Sequence, residues 1–143
     1  MQSWVDNIID YFFPEAEVPE LRNILLVHSK AVADKARNIC QKHPELKADE
    51  QFVYDAAMLH DIGIIRCNAP SIHCFGKEDY LKHGQMGAEM LTEASQVFGD
   101  KIPDMEKYKR VCARHTGTGL PGFEPSSTEE KIVCYADKFF SKT

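Results

Sequence analysis

Residues 19–43 read PELRNILLVHSKAVADKARNICQKH, and this stretch decides the fold class. Leu21, Ile24, Leu25, His28, Val32, Ala36 and Ile39 recur at steps of three and four, which is one face of a long α-helix. Pro19 suits the first helical turn, and His43-Pro44 ends the run. His28 falls on the apolar face, so its imidazole is expected to point into the core.

Working outward, the same periodicity continues. Residues about 4–13 form a short apolar helix that Pro14 stops. A third helix opens near Asp49 as N-cap, with Phe52, Ala56, Leu59 and Gly63 on one stripe and His60 one step round. Gly63 is expected to let the backbone turn or pack closely. The segment Arg66–Glu78 contains Asn, Pro, Ser and Gly and reads as a loop. Asp79 caps a helix running to about Ala94, with His83, Met86, Gly87, Met90 and Leu91 on one face. Pro103 suits the first turn of another helix, ending at His115 before Thr116-Gly117-Thr118-Gly119. Ser127-Thr128-Glu129-Glu130 matches a capping box for a last helix over roughly 128–141, with Val133, Ala136, Asp137 and Phe140 on one side. No alternating strand signal and no internal repeat is present. The expectation is an all-α bundle of about six to seven helices in one domain spanning residues 1–143.

Composition narrows the function classes. Of 143 residues, 43 % are hydrophobic and 27 % charged, as in ordinary globular domains. A net charge of -5 with no Lys/Arg cluster argues against a nucleic-acid groove. The start, MQSWVDNIIDYFF, lacks the basic segment and cleavage site of a signal peptide, and no stretch reaches membrane-spanning length. Five scattered cysteines, an odd number, favour reduced thiols and a cytoplasmic location. Cys67, His73 and Cys74 lack the spacing and the second pair of a zinc finger and read as loop residues.

Chemistry gathers on six residues: His28, the pair His60-Asp61, His83, His115 and Asp137. They include four of the six histidines. Imidazole and carboxylate are the ligands of divalent metals that activate water. The pair lies in AAMLHDIGII, residues 56–65, where a carboxylate is costly unless a cation pairs with it. Asp137 is likewise an acid on the buried face of its helix. Each has a plain structural alternative: a core histidine with one hydrogen bond, a buried acid paired with histidine or lysine, a histidine serving a helix end. One metal site accounts for all six together.

The order His, His-Asp, His, His, Asp on successive helices resembles the HD-domain metal-dependent phosphohydrolase superfamily. The motifs are LLVHSKAVADKA, AAMLHDIG, YLKHGQMGAEML, CARHTGTG and EEKIVCYADKFF, which together cover nearly the whole chain. Within that superfamily the chain looks most like the branch hydrolysing diadenosine tetraphosphate symmetrically. Ile64 stands where that branch carries a lysine, which implies poorer use of that substrate.

The resemblance implies one divalent metal held by His28, His60, Asp61 and Asp137, and a second held by Asp61, His83 and His115. Asp61, His83 and His115 are then the catalytic set. A nucleotide-type phosphoester or phosphoanhydride would be cleaved by a metal-bound hydroxide. Iron, manganese, cobalt, nickel and zinc all suit these ligands. With a single metal, His83 and His115 would instead hold the phosphate or protonate the leaving oxygen. Arg66, Lys82, Thr116 and Lys138, with Lys30 and Arg114, are candidates to clamp substrate phosphate. The alternatives are a nucleotide-binding regulatory HD module and a helical interaction protein with incidental histidines.

Overall fold

In a computed structural model, residues 3–99, 104–116 and 121–142 are described. Six α-helices account for most of them. α1 is Trp4–Phe12, opened by a reciprocal capping box between Ser3 and Asp6. It buries Val5, Ile8 and Ile9. Arg22 joins it to the next helix: one guanidinium nitrogen donates to the Phe13 carbonyl at 2.8 Å and another pairs with Asp10 at 2.7 Å.

α2, Pro19–Lys42, has the bounds that its apolar face predicts, and it buries Leu21, Leu25, His28, Val32 and Ala36. α3, Glu50–Leu59, starts where the Asp49 carboxylate accepts from the Phe52 N–H. α2 packs along α3 and α6, while α4 packs on α5 and on a 3-10 turn, Ile62–Arg66. The core between them is built from Leu25, Val32, Leu59, Ile62, Ile64, Met90 and Leu91, among others.

The segment read as a loop contains structure of its own. β1, Asn68–Ala69, and β2, Cys74–Phe75, pair antiparallel, with Asn68 opposite Phe75 and Ala69 opposite Cys74. A two-residue strand carries too little alternation to be seen in sequence. Asp79 does cap, but it caps a 3-10 turn over Tyr80–Lys82; α4 proper is His83–Phe98, longer at its far end than expected. Gly99, at φ +61°, ends it.

α5 is Met105–Arg114 and α6 is Thr128–Asp137. Pro103 and the glycines of the Thr116–Gly119 motif lie outside the described residues. The Ser127–Glu130 capping box is present. α6 stops at Asp137, short of the expected 141. Beyond it, the N–H groups of Phe139 and Phe140 reach back only three residues, to the Ala136 and Asp137 carbonyls. These tighter bonds end the α-helix in a 3-10-like turn.

All five cysteines are buried free thiols. Among the described residues no helix is long and apolar enough to cross a membrane.

Candidate metal centre

Helix ends build this site. His28 comes from the middle of α2, whereas His60 caps the C-terminus of α3 and Asp61 opens the 3-10 turn that follows. His83 is the first residue of α4, His115 caps the C-terminus of α5, and Asp137 is the last residue of α6. Gly63 makes this convergence possible. A Cβ placed there would lie 1.8 Å from the His83 carbonyl oxygen and 2.5 Å from the Gly87 nitrogen. Only glycine lets the turn after Asp61 touch the first turn of α4. The sequence expectation of close packing at this residue thus holds.

The six side chains form two groups that share Asp61. His28, His60, Asp61 and Asp137 offer one ligand atom each, all within 4.8 Å of one another, and so do Asp61, His83 and His115. Asp61 divides its oxygens between them. Oδ2 lies 3.3 Å from His28 Nε2 and 3.7 Å from His60 Nε2, whereas Oδ1 lies 3.2 Å from His83 Nε2 and 3.3 Å from His115 Nε2. Asp137 Oδ1 closes the first group, at 2.8 Å from His28 Nε2 and 3.1 Å from His60 Nε2. Ligands bonded at about 2.1 Å to one ion stand roughly 3.0–3.4 Å apart at octahedral or tetrahedral edges. Four of the six observed spacings fall in that range, with His60 Nε2–Asp61 Oδ2 longer at 3.7 Å and His28 Nε2–Asp137 Oδ1 shorter at 2.8 Å.

Hydrogen bonding shows why a cation fits. The Nδ1 of His60, His83 and His115 each face a backbone carbonyl, of Ala57, Tyr80 and Cys112 respectively. A carbonyl only accepts, so each Nδ1 carries a proton and each Nε2 faces inward as the available ligand atom. His83 Nε2 and His115 Nε2 meet at 2.9 Å. Both oxygens of Asp61 are fully buried and lack a hydrogen bond of acceptable geometry despite their charged neighbours. Converging ligand atoms of this kind are satisfied by a metal ion.

Electrostatics agree. Burial pushes Asp61 toward the neutral form, but His60, His115, His83 and Lys142 outweigh it and hold the carboxyl well below its usual range. Burial likewise opposes ionisation of Asp137, and the His28 and His60 imidazoles overcome it. His115 is driven down, chiefly by burial, so its ring stays neutral as a ligand must.

A cation missed by the sequence reading also reaches the centre. Lys142 Nζ lies 2.8 Å from Asp61 Oδ2, with its side chain 13 % exposed. Burial works against its charge, but Asp61 prevails and raises the pKa above the ordinary lysine value. No local pattern announces Lys142, since it reaches the site only because α6 ends early. Tyr80 is the second addition: its ring stacks on His83 with centroids 4.4 Å apart. That contact was legible as a three-residue helical step in YLKHG.

Several of the side chains proposed from sequence for phosphate have polar partners of their own. Arg66 pairs with Glu93 at 2.9 Å, Lys82 lies 3.9 Å from Glu78, and Lys30 pairs with Asp34 at 2.9 Å. Arg114 is drawn to Ser126 and Glu130. Lys138 is exposed beyond α6, and Thr116 is half-buried with its methyl toward Gly84. Ile64 is fully buried in the core. A lysine there would have to bury its ammonium, so position 64 packs the core here and does not present a side chain to substrate. His73 is exposed and is not gathered with Cys67 and Cys74 into a group of metal ligands.

A helical bundle that brings four histidines and two aspartates, all but His28 from helix ends, into two ligand groups able to hold a divalent metal defines a class of metal-centred histidine–aspartate domains. The chain belongs to the HD-domain family, which it matches over residues 25–141. Members of that family are generally metal-dependent hydrolases. A tRNA (cytidine(56)-2'-O)-methyltransferase of Picrophilus torridus is 28 % identical over 131 residues, which is 83 % of this chain and 32 % of that protein. The chain therefore spans about a third of the length of this relative. No solved structure matches the chain.

Proposed function

We propose that this chain is a metal-dependent phosphohydrolase acting on a nucleotide-type phosphate, with two divalent ions sharing Asp61. The observation that carries the reading is the split of the Asp61 carboxylate, one oxygen toward His28 and His60 and the other toward His83 and His115. A divalent metal bound there supplies Lewis acidity toward phosphoryl oxygens and lowers the pKa of water to near neutrality. His28, His60 and Asp137 fix the first position, and His83 and His115 the second. Backbone carbonyls orient three of the four imidazoles. The buried setting of Asp61 strengthens each of these interactions by excluding water. Five buried free thiols suit a reducing compartment such as the cytoplasm.

The partial match to a tRNA methyltransferase favours a second reading, in which an HD unit binds a nucleotide and regulates an activity beside it. Turnover separates the two. Purified protein is screened against nucleoside mono-, di- and triphosphates, dinucleoside polyphosphates and p-nitrophenyl phosphate. Iron(II), manganese, cobalt, nickel or zinc is added at low oxygen. Release of phosphate or a nucleotide product that is lost on Asp61→Ala supports the hydrolase. Tight nucleotide binding with no product under any metal supports the regulatory module.

A further inference from the structure

A cleft of about 450 Å³ opens beside the metal centre, lined by Ala69, Ser71, Ile72, Tyr80, Ser141 and Lys142. It has the size of a small-molecule site. Its walls are mainly apolar, with one aromatic ring and one ammonium. The ring is that of Tyr80, which also stacks on the imidazole of His83. The ammonium is that of Lys142, 5.4 Å from the centre of the Tyr80 ring and 2.8 Å from Asp61 Oδ2. The cleft thus begins where the candidate metal ligands end. The ammonium lies within reach of both the Asp61 carboxylate and the Tyr80 ring.

We propose that Lys142 and this cleft form the substrate subsite: the ammonium takes a phosphoryl oxygen, and the cleft takes the one flat organic group of a phosphate monoester, laid against Tyr80. Lys142 has three N–H donors, so contacts with Asp61 and the Tyr80 hydroxyl leave one to meet an anion. Ile72 and Ala69 offer apolar contact to the faces of a base or similar ring. The substrate class is a monoester of nucleoside-monophosphate type. A dinucleoside tetraphosphate cleaved symmetrically keeps its nearest base one phosphate further from the reacting phosphorus than a monophosphate does. The inference rests on the phosphohydrolase reading above, but its test reads binding as well as turnover.

Calorimetry on the manganese-loaded chain measures binding of inorganic phosphate and of adenosine 5'-monophosphate. Lys142→Met is expected to weaken both by about tenfold or more, with metal content unchanged, and Lys142→Arg to restore most of the affinity. Ala69→Trp, which fills the cleft, should weaken the nucleotide about tenfold and leave inorganic phosphate unchanged. The monophosphate should also be turned over with higher kcat/KM than diadenosine tetraphosphate. Phosphate affinity unaffected by Lys142→Met would show that Lys142 only neutralises Asp61, and the subsite would be refuted. Nucleotide affinity unaffected by Ala69→Trp, or a preference for the dinucleotide, would refute the cleft. Should the binding pattern hold without turnover of any ester, the hydrolase reading fails and the subsite stands. Turnover indifferent to these variants has the opposite meaning.

Discussion

Asp61 is the residue on which both ligand groups depend, since each of its oxygens faces a different set of imidazoles. Asp61→Ala should abolish metal binding and turnover while leaving the helical circular dichroism unchanged, because the carboxylate faces the imidazoles of the site and is not part of the hydrophobic core cluster. His43→Ala is the control: His43 is exposed and pairs with Glu45, outside both ligand groups, so the rate should stay within about twofold of the parent. Ile64→Lys distinguishes a packing position from a specificity position. Ile64 has no accessible surface, so the lysine should cost more than about 3 kcal/mol in chemical denaturation. A fully stable Ile64→Lys protein with improved activity on diadenosine tetraphosphate would reverse that assignment.

At the scale of elements, the site is a meeting of helix ends, and the contacts between those ends are open to test. Gly63→Ala drives a methyl into the His83 carbonyl and should destabilise the protein by about 3 kcal/mol, with metal affinity falling because His83 moves. Unaltered melting and metal content would show that α4 shifts freely. The start of α6 depends on Glu130, which is 5 % exposed, accepts from the Ser126 and Ser127 N–H groups and pairs with Arg110 at 2.9 Å. Burial alone would raise the Glu130 pKa, but the Ser126 N–H and the Arg110 guanidinium lower it. A depressed folded pKa means the stabilisation is present above the ordinary glutamate range and is lost as pH falls through the folded value. Glu130→Gln should therefore lower Tm at neutral pH, with the difference shrinking in acid; a gap that widens in acid would contradict the pairing.

These elements also show how far the sequence could be read. The bounds of α2, the Asp49 cap, the Ser127 capping box and all six candidate ligands were legible, because each is a local pattern of spacing or side-chain chemistry. The small hairpin over residues 68–75, the early end of α6 and the return of Lys142 to Asp61 were not. They depend on which neighbours a segment meets after folding, and a two-residue strand or an unwound last turn has no period of its own.

On the scale of the whole molecule, the proposed metal ties five of the six helices together: α2, α3, α4, α5 and α6 each contribute a ligand or a residue that caps onto one. Metal binding should therefore stabilise the entire bundle. At a free metal concentration of about 100 times Kd, one site contributes about 2.7 kcal/mol, roughly 8 °C in Tm for a chain of this size. Chelation should lower Tm by that order in the parent and by much less in Asp61→Ala. The central claim, that Asp61 joins two metal positions in one centre, is tested most directly by counting metal. The chain is reconstituted with manganese, freed of loose ions and analysed by elemental mass spectrometry. The account predicts about two ions per chain in the parent, about one in His83→Ala and essentially none in Asp61→Ala. A parent that retains no metal, or an Asp61→Ala protein that retains as much as the parent, would contradict it.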